Sequence, residues 1–205
     1  MQSNSELVRF LKDEGVLTSP AVEKALFAVD RKLFVPQEFE DEAYEDYPLP
    51  IEGGQTISQP RTVVFMLELL EVQKGHKVLD VGSGSGWTTA LLSHVVGERG
   101  KVIGVELLPE LVKFGQKNLA KIHPTNAHIE QAGRKYGKLE EAPFDRILVS
   151  AATEEVPHIL NDQLAPSGRM VIPVKNSICL VTKSSEGKAE QECYSGFAFV
   201  PLLPK

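Results

Sequence analysis

The sequence predicts an α/β fold: a Rossmann-like, mainly parallel sheet with a small helical piece before it and antiparallel strands after it. Three observations carry that reading. The apolar run Val78-Leu79-Asp80-Val81 passes directly into Gly82-Ser83-Gly84-Ser85-Gly86, and a helical pattern starts at about Trp87. A second apolar run, Val102-Ile103-Gly104-Val105, then ends in Glu106. Beyond it helical and strand-like segments alternate, the order of a parallel sheet with crossover helices. The 205 residues read as one domain, with residues 1–50 as a helical appendage and 51–205 as the core.

Taken in order, Ser5 to Glu14 sets Leu7, Phe10 and Leu11 on one face, a short amphipathic helix that Gly15 ends. Ser19-Pro20 reads as N-cap and first helical position of a helix to about Val29. Leu33, Phe34 and Val35 then pack on the main body, and the acidic stretch Phe39 to Pro50 is irregular and solvated. Pro60 opens a helix to about Leu70, capped by Ser58 or Gln59. Further helices span Thr88 to Val96, Pro109 to about Ile122 and Val156 to Leu164. Strands are predicted at Ala127 to Gln131, Arg146 to Ser150 and Arg169 to Pro173. Ile178 to Lys183 and Tyr194 to Leu202 form a closing antiparallel pair around the polar turn Ser184 to Lys188.

The glycine-rich turn carries the chemistry. Alternate glycines let the backbone turn sharply and approach a ligand with no Cβ in the way. An acid at the end of the next strand can take both hydroxyls of a ribose. A dinucleotide fingerprint, G-x-G-x-x-G, needs its third glycine where this chain has Trp87, which disfavours an NAD-dependent oxidoreductase. The pattern Asp80-x-Gly82-x-Gly84-x-Gly86 followed by Glu106 instead looks like the S-adenosylmethionine loop of Rossmann-like methyltransferases.

Several other functions are disfavoured. A net charge of −6, with no offsetting run of Lys and Arg, argues against a nucleic-acid partner. No segment reaches membrane-spanning length and no apolar signal region opens the chain, so a cytoplasmic protein is expected. The five histidines show no metal spacing, and Cys179 and Cys193 form no metal or redox motif and read as small core residues. Ser58 lies in no G-x-S-x-G elbow and has no Ser-x-x-Lys partner, so a nucleophilic serine is not supported. The turn after the strand at Ser150, Ala151-Ala152-Thr153, lacks the Asn/Asp-Pro-Pro-aromatic run of base-amine methyltransferases.

Over nearly its whole length the chain resembles the protein-L-isoaspartate O-methyltransferase family. The matching runs are Leu33-Phe34-Val35-Pro36, Ala43-Tyr44-Glu45-Asp46, Pro48-Leu49-Pro50-Ile51, and the family-specific Gly54-Gln55-Thr56-Ile57-Ser58-Gln59-Pro60. The cofactor loop, Ala142-Pro143-Phe144-Asp145-Arg146-Ile147 and Phe199-Val200-Pro201-Leu202 complete the match. The resemblance implies methyl transfer from S-adenosyl-L-methionine, leaving S-adenosyl-L-homocysteine, to the α-carboxylate of L-isoaspartyl residues. Its partners would be isoaspartyl-containing proteins and peptides, met by a monomer with neither nucleic acid nor membrane. Asp80, Gly82, Ser83, Gly84 and Gly86 would hold the methionine portion, Glu106 the ribose, and Gly133 and Arg134 the adenine side. Gln55, Thr56 and Ile57 would form a lid on the cofactor, Ser58 would orient the substrate carboxylate, and Val200, Pro201 and Leu202 would meet the peptide main chain.

The chain departs from the family pattern twice. The usual Gly-Asp-Gly after the third strand is replaced by Ala132-Gly133-Arg134-Lys135-Tyr136-Gly137, with Gly133 where the Asp belongs. One lost hydrogen bond to adenine would cost roughly 0.5–1.5 kcal/mol. Glu52-Gly53-Gly54 stands where the family shows Gly, an aromatic or His, then Gly, which puts a negative charge near a site for a carboxylate. Two alternatives stay open on these grounds: a related methyltransferase with another carboxylate or small-molecule substrate, and a low-turnover module that recognises damage.

Overall fold

The computed structural model describes residues 1–202. Its sheet is built from β3 (Lys77–Val81), β4 (Lys101–Glu106), β5 (Ala127–Gln131), β6 (Phe144–Val149), β7 (Leu164–Val174), β8 (Ser177–Lys183) and β9 (Ala189–Ser195). The strands lie in the order β5-β4-β3-β6-β7-β8-β9. The first five are mutually parallel, and β8 and β9 return antiparallel. The chain reverses direction across the sheet between β3 and β6, so a crevice opens beyond their carboxyl ends, where ligands bind in folds of this type.

Side chains alternate across the sheet with the period of two that strands impose. Val78, Val102, Leu148, Val171 and Ile178 face one layer, together with the apolar faces of α1 (Asn4–Asp13), α2 (Pro20–Ala28), α3 (Pro60–Leu70), α4 (Trp87–Val96) and α5 (Pro109–Ala120). Leu79, Val81, Ile103, Val105, Ile147 and Ile172 face the other layer, with Leu160 of the short helix α6 (His158–Gln163). The N-terminal helices therefore extend the first core. Ser3 and Ser19 cap α1 and α2 by accepting from Glu6 N and Val22 N, as expected where a Ser precedes a helical run.

Several local expectations are corrected. Leu33 is exposed, while Phe34 and Val35 are buried as anticipated. Neither Ser58 nor Gln59 caps α3 through its side chain. That work is done at a distance by Asp46, whose carboxylate accepts from Arg61 N at 2.9 Å and Arg61 Nε at 3.1 Å. The acidic stretch ends not as a solvated loop but in β1 (Leu49–Pro50), paired with β2 (Thr56–Ile57) as a short hairpin. The helix predicted over Val156 to Leu164 shortens to α6, because Leu164 already begins the long strand β7. Among the described residues the last strand is β9, earlier than Tyr194 to Leu202, and Val200 to Leu202 instead run beside Ala152. Cys179 and Cys193, facing each other across β8 and β9, form a disulfide; Cys179 is a core residue but Cys193 is exposed. The cross-strand register brings them together, and register is not legible from cysteine spacing alone.

Candidate active site

At the end of β3 the backbone enters the left-handed region at alternate residues: φ is +74° at Gly82, +48° at Gly84 and +86° at Gly86. Side chains rarely adopt that conformation, which is why glycine recurs there. Gly82 N and Ser83 N donate to Val105 O at 2.8 and 3.2 Å, tying the loop to the neighbouring strand. Gly86 serves packing rather than the cavity wall. A Cβ there would meet Gly115 O at 2.9 Å, so α5 presses directly on the loop, and Asn118 of α5 donates to Ser85 O at 3.1 Å.

Beside the loop opens a cavity of about 340 Å³, in the size range of small-molecule sites. Gly82 and Gly84 form its floor, Glu106, Leu107 and Leu108 one wall, and Gly133, Arg134 and Tyr136 another. Gln55 and Thr56 of the hairpin, and Val200, Pro201 and Leu202 of the tail, complete it. The tail is held there by Ala152 N donating to Val200 O at 2.8 Å and Leu202 N donating to Ala152 O at 2.7 Å. Gln163 of α6 braces the 136–138 loop, accepting from Lys138 N at 2.7 Å and donating to Tyr136 O at 3.0 Å.

Glu106 is buried, and its carboxylate is held by three backbone amides. Oε1 accepts from Leu107 N at 2.6 Å and Leu108 N at 3.0 Å, and Oε2 accepts from Gly84 N at 3.0 Å. Asp80 lies behind the loop and lines neither cavity. Its Oδ2 accepts from Thr88 Oγ1 at 2.7 Å and Thr89 Oγ1 at 2.6 Å, while Oδ1 is buried with no partner among the described residues. Burial pushes the Asp80 carboxyl up to about 6, against the opposing hydrogen bonds from Thr89 and Thr88.

A second, smaller cavity of about 40 Å³ adjoins the first and shares Thr56, Gly82, Gly84 and Ser150 with it. Ile57, Ser58, Val63, Ser83, Ser85, Trp87 and Thr88 line the rest. Among the described residues that line it none is ionisable, and six carry hydroxyls: Thr56, Ser58, Ser83, Ser85, Thr88 and Ser150. The Ser83 hydroxyl is buried without a partner among the described residues.

The structure thus gathers Gln55, Thr56, Gly82, Gly84, Glu106, Gly133, Arg134, Val200, Pro201 and Leu202 around the large cavity, and Ile57, Ser58 and Ser83 around the small one. It leaves Asp80 and Gly86 outside both. The sequence reading missed Leu107, Leu108, Tyr136 and Ser150. Leu107 and Ser150 directly follow β4 and β6, and a wall residue just past the carboxyl end of a strand at the crossover is a signal the sequence did carry.

The family model described as protein-L-isoaspartate(D-aspartate) O-methyltransferase matches residues 2–205. The chain belongs to this family. A protein-L-isoaspartate O-methyltransferase of Methanopyrus kandleri is 42% identical over 207 residues, covering 98% of this chain and 92% of the relative. One from Thermococcus onnurineus is 43% identical over 202 residues, covering 96% and 91%. Among solved structures, a Plasmodium falciparum protein described as a beta-aspartate methyltransferase, in complex with S-adenosyl-L-homocysteine, superposes with a TM-score of 0.86 at 26% identity, covering both chains completely.

Proposed function

We propose that this protein transfers the methyl group of S-adenosyl-L-methionine to the α-carboxylate of L-isoaspartyl residues in damaged proteins and peptides. The observation that carries the reading is the small cavity: beside a nucleoside-sized cavity lies a chamber of hydroxyls and backbone with no ionisable wall residue. A peptide α-carboxyl group has a pKa of about 3.3–3.7, so at neutral pH it arrives as an anion and needs no base. No carboxylate lines the chamber, and although Thr88 is committed to Asp80, the hydroxyls of Thr56, Ser58, Ser83, Ser85 and Ser150 can donate to the anion.

The large cavity suits the cofactor on its own features. Glycine backbone forms the floor, a buried carboxylate stands in one wall, and apolar Leu107 and Leu108 adjoin it. Gly82 and Gly84 would hold the methionine portion, Glu106 the ribose, and Gly133, Arg134 and Tyr136 the adenine side. The bound cofactor supplies an electrophilic methyl group on a sulfonium centre. The protein supplies alignment and exclusion of water, and alignment alone can contribute roughly 7–11 kcal/mol. Ser58 orients the carboxylate through its hydroxyl, and Val200 to Leu202 offer main chain and apolar surface to the peptide. Asp80 acts from behind, holding the first turn of α4 through Thr88 and Thr89.

The same proposal includes a monomer acting on isoaspartyl proteins in the cytoplasm, without nucleic acid or membrane. In the described residues no helix is long and apolar enough to cross a membrane. The cross-strand disulfide is the feature least at home in a reducing compartment, and intact mass under non-reducing conditions checks it.

The direct test is methyl transfer from labelled S-adenosylmethionine to an isoaspartyl peptide, with the matching aspartyl peptide as control. Base-labile label on the isoaspartyl peptide alone is expected. Label on neither peptide, with cofactor binding intact, would turn the reading to another carboxylate substrate or to a recognition module.

A further inference from the structure

Arg31 opens a short 3-10 helix, Arg31–Phe34, and is unusual for that place. It is fully buried, yet it belongs to neither cavity wall. Its guanidinium donates to four backbone carbonyls of the segment that runs over the site: Nη1 to Ala43 O at 2.7 Å and Glu45 O at 3.4 Å, and Nη2 to Tyr47 O and Ser58 O, both at 3.2 Å. The same group lies 5.4 Å from the centre of the Trp87 ring. Trp87 is the first residue of α4, immediately after the glycine loop, and it lines the small cavity together with Ser58. Burial lowers the Arg31 pKa to about 10, which still leaves it charged at neutral pH.

Burying a guanidinium is costly unless its donors are satisfied; here both terminal nitrogens are engaged while Nε is buried with no partner among the described residues, and a planar fork is the side chain suited to bridging several fixed carbonyls. The carbonyls it gathers are not neighbours in the chain. They span Ala43 to Ser58, the segment that carries the β1–β2 hairpin with Gln55 and Thr56. One cation thereby joins three parts of the site: the segment over the cofactor cavity, the backbone of Ser58, and the aromatic ring at the head of the glycine loop.

We infer that Arg31 is a positioning residue for methyl transfer: by gripping the Ser58 carbonyl while stacking on Trp87, it sets the Ser58 hydroxyl toward the substrate chamber. This rests on the role given to Ser58 above. A lysine ammonium is a compact point charge that cannot span the same four carbonyls or stack in the same way. Arg31→Lys should therefore misplace Ser58 while leaving Glu106 and the glycine loop to bind the cofactor.

The experiment is a double-mutant cycle with wild type, Arg31→Lys, Ser58→Ala and the double variant. It measures kcat on an isoaspartyl peptide, Kd for S-adenosyl-L-homocysteine by calorimetry, and thermal unfolding. Arg31→Lys should lower kcat about tenfold or more, with a clearly smaller rise in Kd, since the segment it holds also brings Gln55 and Thr56 to the cofactor cavity. In the Ser58→Ala background the same change should cost less than about twofold further, because the hydroxyl it positions is gone. Losses that multiply would overturn the inference and leave Ser58 its role. A Ser58→Ala protein with full kcat would overturn both, and an inactive wild type would remove the functional reading beneath them. Should Arg31→Lys fail to fold, Arg31→Gln, which keeps two N–H donors and removes the buried charge, takes its place in the cycle under the same criteria.

Discussion

Changing Glu106 to Gln asks how much a carboxylate already engaged by backbone can give to a ligand. A carboxylate offers about four lone-pair positions. Three are taken by Leu107 N, Leu108 N and Gly84 N. Two ribose hydroxyls donating together would raise the demand beyond capacity, so ribose binding should displace the Gly84 N–H. The balance is two charge-assisted bonds gained for one released. With each bond to a charged group contributing about 1.5–3 kcal/mol, the net is about one such bond, or roughly 10- to 150-fold in Kd. Glu106→Gln keeps the shape, removes the charge and turns an amide NH₂ toward groups that also donate. Calorimetric titration with S-adenosyl-L-homocysteine should show Kd raised within that range, and thermal unfolding should shift down because at least one backbone N–H now faces the amide NH₂, a loss of about 1–3 kcal/mol. A folded variant with wild-type affinity would refute the ribose assignment and the capacity argument with it.

Three further outcomes follow from the same geometry. A Cβ at Gly133 would meet no atom within 4 Å, so Gly133→Asp should fit and tighten the cofactor by about 0.5–1.5 kcal/mol through a restored hydrogen bond; unchanged or weaker binding would place the adenine elsewhere along the 132–137 loop. The Asp80 carboxyl is raised to about 6 from 3.8. Its preference for the proton in the folded state stabilises the protein below about pH 4 and is lost as pH rises toward 6. Asp80→Asn should gain stability relative to wild type across that interval and stay level above it, read from chemical denaturation at several pH values; a constant difference would show that Asp80 does not titrate there. Cys179 and Cys193 enclose a 14-residue separation, for which the chain-entropy model gives about 3 kcal/mol. Cys193→Ser should lower unfolding stability by up to that amount, and an unchanged midpoint under non-reducing conditions would mean the bridge does not form.

Much of the sheet was legible because its signals are local. Val78–Val81, Val102–Val105 and Ile147–Val149 are short, mainly apolar runs, and a parallel strand buried on both faces needs little else to be recognised. Glu106 was found because it ends such a run at the right distance from the glycines. The failures share another cause. Asp46 capping α3, Arg31 gathering carbonyls, and Cys193 meeting Cys179 all join residues through tertiary register, which no window along the chain contains. Asp80 and Gly86 show the converse: their place in the motif was correct, but a motif does not say which side of the backbone faces the ligand. Gly86 is required by α5 passing behind it and Asp80 by the threonines of α4, so both shape the loop without touching the cavity.

The C-terminal tail is moored at two places, by the Cys193 bridge to β8 and by the pairing of Val200 to Leu202 with Ala152. Between them Gly196 N and Phe197 N both donate to Asn176 O at 3.1 Å, and the Phe197 ring stacks on Phe65. The span from Cys193 to Val200 therefore behaves like a cable cut to length. One residue removed between Phe197 and Val200 would pull on the pairing of Val200 to Leu202 with Ala152, and with it on the side chains that reach the cavity. What this wall presents to the cavity is therefore set as much by the length of the span behind it as by the identity of Val200, Pro201 and Leu202.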